Sequence, residues 1–535
     1  MGNLLSQNGL SPFAQSIFSR TYSAHPQESW EECAARVAKA VAENDAQERQ
    51  FFEIIRDRIF IPGGRYLYSA GRPIQQFMNC YGLVAEDSRE GWGDLLRTCV
   101  ICLSMGGGIG INYSSVRERG APIRRMGGEA SGPLALMQMV NETARYVMAG
   151  GKRRSALFGG LHWRHPDVHE FIRIKDWDDG LVEMKRKRFD APAPLDMMNV
   201  SVIVDDEYFQ LLRDGNVSVQ ALHQEICRRM VLTGEPGFLN LSRRLLDDPG
   251  AVTTNACTEA CLHPYDTCDL GSIVMSRIRD LTHLEEVVRL GIQFLYNGID
   301  RTIFPVPQTR DVAFRNRRLG LGVIGLHEYM LMRGHRYEWF AELDHFFSTL
   351  REVSHDEASR YAGARCGAIP IATNAIAPTG TISIIAESSS GVEPMFCVAY
   401  KRRYINNGHY RFQYVVDPTA KRMMEMGIPS KDLEDSYTLS TDLDRRLEVQ
   451  TRVQDYIDQG ISNTINTPGP GSVTPEAFSQ LMRRWLPENK GITIYPHGSR
   501  PGQPLTPVLL EEAEAEVGKV YEEDGERCLN GVCGV

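Results

Sequence analysis

Asn199-Val200-Ser201-Val202-Ile203-Val204 is an apolar, β-branched run of strand length, and Asp205 to Leu212 follows it directly with helix-like spacing of apolar side chains. A strand that passes at once into a helix is the repeating unit of an α/β fold. From about residue 62 to 400 the same alternation recurs between Gly and Pro punctuation, which sets the fold class as α/β. Upstream, residues 10–60 read as amphipathic helices, because Trp30, Cys33, Val37 and Val41 recur at helical spacing and Phe51, Ile54 and Ile55 continue it. Thr282 and Glu285 form a capping-box pattern ahead of the stripe Leu284, Val288, Gly291, Leu295 and Ile299, which predicts a core helix. Charged helices fill roughly 416–490. The expected division is a helical region over 1–60, an α/β body over 61–505 and an acidic tail over 506–535, solvated and mobile.

Composition excludes several partner classes. The 535 residues are 42% hydrophobic and 24% charged, and no apolar run approaches the ~20 residues of a membrane span. A net charge of −9 argues against a nucleic-acid polymer as general partner. Twelve irregularly spaced cysteines without an N-terminal apolar region point to a reducing, cytoplasmic setting where thiols stay available for chemistry.

The chemistry concentrates in Asn255-Ala256-Cys257-Thr258-Glu259, which places an amide, a thiol and a carboxylate at alternate positions. In an extended backbone, period two turns all three to one face, where one small substrate can touch each. Further thiols stand at Cys80, at Cys268 and in the closing pair Cys528 and Cys533, whose spacing permits a disulfide on a mobile tail. The spacings of Cys257, Cys261 and Cys268 match no zinc or cluster pattern, so no metal site is expected. Pro378-Thr379-Gly380-Thr381-Ile382-Ser383 is a small-residue turn opening a helix, suited to cradling phosphate. Met105-Gly106-Gly107-Gly108-Ile109-Gly110 allows close backbone approach to a ligand, with Arg117, Arg119, Arg124 and Arg125 beyond it. Gly150-Gly151-Lys152-Arg153-Arg154 is a second basic glycine segment.

In their order along the chain these segments resemble the ribonucleotide reductases, and within them the adenosylcobalamin-dependent class II enzymes. The resemblance runs through Asn79-Cys80, the Gly106–Gly110 loop, Lys152-Arg153-Arg154, Asn199-Val-Ser-Val202, Asn255 to Glu259, Cys268-Asp-Leu-Gly-Ser-Ile273, Arg318-Leu-Gly-Leu-Gly-Val323, Pro378 to Ser383, Ser389-Ser-Gly-Val-Glu-Pro394 and Lys490 to Arg500. It implies a ten-stranded α/β barrel with the Cys257 loop threading its centre, a helical N-terminal lead-in and a flexible C-terminal tail. Cys257 would be the thiyl, Glu259 the base at the 3′-hydroxyl and Asn255 the group orienting the sugar. Cys80 and Cys268 would be the reducing pair, recharged by Cys528 and Cys533. Asn79, Gly108, Thr379, Gly380, Thr381, Ile382 and Ser383 would hold the ribonucleotide, and Asp87, Arg117 and Arg124 a deoxynucleotide or ATP specificity effector.

Class II implies adenosylcobalamin as radical source, and the implied partners are a thioredoxin-like or glutaredoxin-like reductant and a second copy in a homodimer. Class I enzymes relay the radical through two adjacent tyrosines, whereas none of the twenty tyrosines here has a tyrosine neighbour. A class I large subunit with another radical path and an inactive nucleotide-binding regulator are the alternatives. The chain departs from the family's pattern at Ala256, where proline is usual, at Ala260-Cys261, in place of an apolar-proline pair, and at Val274-Met275, in place of Asn-Leu.

Overall fold

The computed structural model describes residues 9–123, 127–147, 155–188, 191–406, 409–500, 503 and 505–522. Its centre is a closed ring of strands. The first half consists of β1 (Cys80–Val84), β2 (Gly108–Asn112), β3 (Leu157–His162), β4 (Met198–Val204) and β5 (Gly237–Asn240), each parallel to the next. The second half holds β6 (Thr267–Val274), β7 (Leu319–Ile324), β8 (Thr464–Thr467) and β9 (Gly491–Pro496).

Between β7 and β8 lies the segment 374–376, joined by the parallel bridges Leu321↔Asn374 and Ile376↔Ile461. With that segment the ring has ten positions, five in each half. The halves meet antiparallel at both seams, Cys80↔Cys268 between β1 and β6 and Phe238↔Ile492 between β5 and β9. This is the expected ten-stranded α/β barrel. Intervening helices cover the strands' outer face, as parallel sheets require; all eight residues of β6 are buried.

The core helix predicted from the Leu284–Ile299 stripe spans Leu281–Arg301, and Leu284, Val288, Leu295 and Ile299 are buried. Each such side chain contributes ~1.5–3 kcal/mol by leaving water. Its cap differs from expectation: Asp280, not Thr282, accepts from the backbone N–H of His283, so the helix starts two residues earlier. The lead-in forms helices Pro12–Thr21, Trp30–Val41 and Asp45–Arg56. Phe51 meets Phe294 of the core helix edge-on, with ring centres 5.2 Å apart.

Residues 506–522, placed by composition in a solvated tail, are instead built, with Leu505, into a small sheet. Leu505–Pro507 and Val520–Glu522 flank the hairpin Ala399–Asn406/His409–Val416, and a helix Leu510–Glu516 lies between them. The acidic side chains concealed a strand whose backbone pairs with the hairpin edge.

Candidate functional site

A second hairpin rises inside the barrel, its stem the two-residue ladder Thr253↔Leu262 and Thr254↔Cys261. Two barrel glycines give it room. A Cβ on Gly110 of β2 would sit 1.6 Å from the Thr254 carbonyl oxygen, and one on Gly82 of β1 would sit 2.7 Å from Leu262 Cβ. Side chains at either point would expel the hairpin.

The tip is Asn255–Glu259, and it is a turn rather than the extended segment expected. Thr258 N–H bonds back to the Asn255 carbonyl at 3.1 Å, and Thr258 holds a left-handed φ of 70°. Convergence therefore comes from the turn and not from strand periodicity. Asn255 Nδ2 donates to Cys80 Sγ at 3.3 Å, and Asn255 Oδ1 accepts from Ala260 N–H at 3.0 Å. Cys80 and Cys268 face each other across the β1–β6 seam. Cys257 is only partly buried, unlike those two.

Charge at the tip is governed by desolvation. Burial pushes Glu259 up to about 7, opposed by hydrogen bonding from Asn255 and the charge of Arg244. Burial likewise raises the Cys268 thiol, with the nearby Glu259 adding to it. Glu259 Oε2 is buried with no hydrogen-bond partner, and so are Asn79 Nδ2 and Ser272 Oγ. Unpaired buried polar atoms cost free energy unless a ligand satisfies them.

All three belong to residues lining one cavity of about 340 Å³, within the range of small-ligand pockets. The cavity brings together Asn79, Cys80, Gly108, Cys257, Glu259, Thr379, Gly380, Thr381 and Ile382 from the sequence-derived set. Asn255, Cys268 and Ser383 sit behind the wall. At the turn, Thr379 adopts a φ of 53° and its hydroxyl accepts from Gly391 N–H at 2.8 Å, while a Cβ on Gly380 would meet nothing within 4 Å. That leaves the Gly380 backbone open toward the cavity.

Asp87 and Arg117 lie apart from this cavity, paired with each other on the surface past β1 and β2 at 2.7 Å. Arg124, Lys152 to Arg154, Cys528 and Cys533 lie outside the described residues.

The sequence reading missed Gly63, Gly64 and Arg65 on the opposite wall. Pro62-Gly63-Gly64-Arg65 carries the same glycine-plus-arginine signal as the loops that were singled out. It also missed Arg244, which no local pattern distinguishes from a solvated helix arginine. Arg244 is fully buried beneath the turn and donates to the carbonyls of Thr258 (2.6 Å), Ala260 (2.9 Å) and Lys490 (3.1 Å), and to Cys261 Sγ (3.4 Å). Cys261 thus has a structural partner at the stem.

Comparisons with known proteins agree with the barrel and its helical lead-in. The family model described as "Ribonucleotide reductase, barrel domain" matches residues 78–217, 212–364 and 351–495, and "Ribonucleotide reductase, all-alpha domain" matches 4–75. A vitamin B12-dependent ribonucleoside-diphosphate reductase of Mycobacterium tuberculosis (strain CDC 1551 / Oshkosh) is 28% identical, over 95% of this chain and 83% of its own length. One of the same description from Thermoplasma acidophilum is 28% identical over 88% of this chain and 68% of its own. Among solved structures, the Actinobacillus ureae class Id ribonucleotide reductase alpha subunit superposes with a TM-score of 0.74 at 17% identity. The match covers 91% of this chain and 97% of that one, a likeness of fold.

Proposed function

The chain belongs to the ribonucleotide reductase family, and on that premise we propose that it reduces ribonucleotides to 2′-deoxyribonucleotides as an adenosylcobalamin-dependent, class II enzyme. The observation that carries this reading is the placement of Cys257 and Glu259 on one cavity wall with the Cys80–Cys268 pair at its back.

In this reading Cys257, as a thiyl, takes the 3′ hydrogen of the ribose and is restored when it returns one at the end. Glu259 accepts the 3′-hydroxyl proton, for which a pKa near 7 is matched to neutral pH. Asn255 orients the tip between Cys80 and Ala260. Cys80 and Cys268 supply two electrons and the proton with which the 2′-hydroxyl leaves as water, and they end as a disulfide. Asn79 and Ser272 pair their orphaned polar atoms with the bound nucleotide, and the Thr379–Ser383 turn takes its phosphates through backbone N–H groups. The barrel wall excludes water from the radical.

Adenosylcobalamin suits the residues around Cys257. Cys257 is partly exposed, and Gly108, Ala156 and Ala256, which line the same cavity, present little or no side chain there. When bound, the cofactor supplies the one-electron oxidant for the Cys257 thiol.

The remaining assignments belong to the same reading. Asp87 and Arg117, which pair with each other on the surface, would bind a deoxynucleotide or ATP effector together with Arg124. Helices Arg89–Ser104 and Pro133–Tyr146 share an apolar groove in which Val100, Met139 and Tyr146 are exposed, which supports a homodimer. Cys528 and Cys533 pass electrons from a thioredoxin-like or glutaredoxin-like protein. No helix of the described residues is long and apolar enough to cross a membrane, and we assign the enzyme to the cytoplasm.

The test is an anaerobic assay of the purified chain with adenosylcobalamin, a small dithiol and the four ribonucleotides at both phosphorylation levels. Turnover without any second protein is expected. Turnover only on addition of a radical-bearing subunit would overturn the class.

A further inference from the structure

Away from the barrel mouth, helix Pro12–Thr21 and the hairpin Ala399–Asn406/His409–Val416 enclose a cavity of about 670 Å³. Arg20, Arg72 and Arg411 stand on its wall with Ser16, Ser19 and Ser23, and no carboxylate lines it among the described residues. A fourth guanidinium lies beside them. Arg402 and Tyr404 are two residues apart on one strand, and Tyr404 pairs directly with Arg411 across the hairpin, so the three share one face of the sheet. That face meets the helix, with Arg20 over the Tyr404 ring at 4.1 Å and Arg402 over the Phe13 ring at 5.8 Å.

The positive charge here is only partly compensated. Arg411 has one carboxylate, Glu522, at 2.6 Å. Arg72 donates to the Ser23 carbonyl at 2.8 Å and lies over the Tyr68 ring. Arg20 and Arg402 pair with no carboxylate among the described residues; burial pulls both below the ordinary guanidinium value, and Arg20 repels Arg402 in addition. Three donor atoms, Arg72 Nε, Arg402 Nη1 and Arg411 Nε, are buried without a hydrogen-bond partner. Guanidinium groups drawn together out of water repel one another strongly, and each orphaned donor carries a cost that the oxygens of an anion would remove.

We propose that this cavity binds the phosphate groups of an anionic ligand, with Arg20, Arg72, Arg402 and Arg411 supplying charge-assisted hydrogen bonds. The planar guanidinium fork matches phosphate oxygens two at a time, which suits four arginines grouped around one space. The site reads phosphate rather than a base, because Arg20 already covers the Tyr404 ring on its wall. It is separate from the catalytic cavity, yet one residue divides the two: Thr21 and Ser23 line this cavity, and Tyr22 lines the other. An occupant therefore braces the helix end from which Tyr22 reaches the catalytic wall.

The test is calorimetric titration of the full resting chain with inorganic pyrophosphate, which needs no turnover and stands apart from the class of the enzyme. Wild type should bind it, and Arg20→Gln/Arg402→Gln should weaken binding at least about tenfold. Arg117→Ala, at the proposed effector site, should leave this binding event in place. Melting temperatures separate a ligand site from scaffolding. In phosphate-free buffer the double variant should melt no lower than wild type, since it sheds two unpaired charges, and pyrophosphate should raise the melting temperature of the wild type alone. ADP, read as the difference between wild type and double variant, distinguishes two sources of the phosphate group. Affinity equal to that of pyrophosphate is expected and means a free phosphate ligand, whereas ADP at least tenfold tighter means a nucleotide held by its phosphates; both keep the site. Failure of wild type to bind pyrophosphate, unchanged affinity in the double variant, or a lower melting temperature of that variant in phosphate-free buffer would overturn the proposal.

Discussion

Glu259 is the residue at which stability and chemistry pull against each other. A base works ionised, and with burial holding its pKa at about 7 the reaction should accelerate as pH rises through that value. Folding carries the opposite sign. Below the ordinary carboxylate value of 4.5 the carboxyl is protonated in both states; between 4.5 and about 7 the folded chain keeps the proton and the unfolded chain releases it, so stability falls as pH rises through that window. The whole window amounts to roughly 3 kcal/mol. Glu259→Gln should therefore lower kcat by about 10²–10⁴ and yet melt at a higher temperature than the wild type at pH 8, measured by calorimetry. A variant that is slower but no more stable would show that the carboxyl is not strained in the resting protein. Cys257→Ser makes a sharper cut. The hydroxyl matches the thiol in shape, but its O–H bond is too strong to yield the abstracting radical, so turnover should fall to background with the melting temperature unchanged, and residual activity near wild type would remove Cys257 from the centre.

At the scale of elements, the inner hairpin owes its shape to contacts from outside itself. Its tip lacks the proline usual at position 256 and carries a threonine in left-handed backbone, so local preference does not hold the turn. Arg244 supplies what the local sequence omits, by donating to the Thr258 and Ala260 carbonyls on the returning limb and to Thr254 Oγ1 on the outgoing one. Arg244→Met should leave the Thr258 carbonyl unpaired, at about 1–3 kcal/mol, and lower kcat at least about tenfold by loosening Cys257 against the cavity. Arg244→Lys should recover part of the stability but less of the rate, since one ammonium cannot span both carbonyls. Equal losses of rate in a Gln450 variant, whose side chain bonds to Gly491 and Asn463 away from the tip, would reduce Arg244 to general scaffolding. This division explains what the sequence made legible. Strands such as Asn199–Val204 and the Leu284–Ile299 stripe declare themselves because burial imposes a period on neighbouring residues. The turn at 255–259 does not, because its conformation is set by Arg244 and by two glycines on other strands. The Asp280 cap was masked by an equally good pattern two residues later.

At the scale of the whole molecule, the barrel closes through long-range pairings that no local window contains. The segment 374–376 joins its neighbours by single bridges, and its small residues carry no strand signal, yet without it the ring would be open between β7 and β8. Closure buries Cys268 completely and leaves Cys80 at 7% exposure, so a reductant of protein size cannot reach them. In the proposed relay the route out is covalent, through the tail thiols. Glu522 is the last described residue of the small sheet, and Cys528 stands six residues beyond it; six residues span at most about 20 Å when extended. Ending the chain after Arg527 keeps the sheet and removes both tail thiols. A single turnover of the prereduced enzyme should then proceed nearly as in the full chain, because Cys80 and Cys268 still hold two electrons. Repeated turnover with thioredoxin should stop after that first equivalent. A small dithiol should restore part of it by diffusing into the 340 Å³ cavity, since thiol exchange depends on access as well as on thiolate content. Rapid-quench measurement of deoxynucleotide per active site separates these outcomes, and sustained cycling of the shortened chain with thioredoxin would show that electrons enter the barrel by another path.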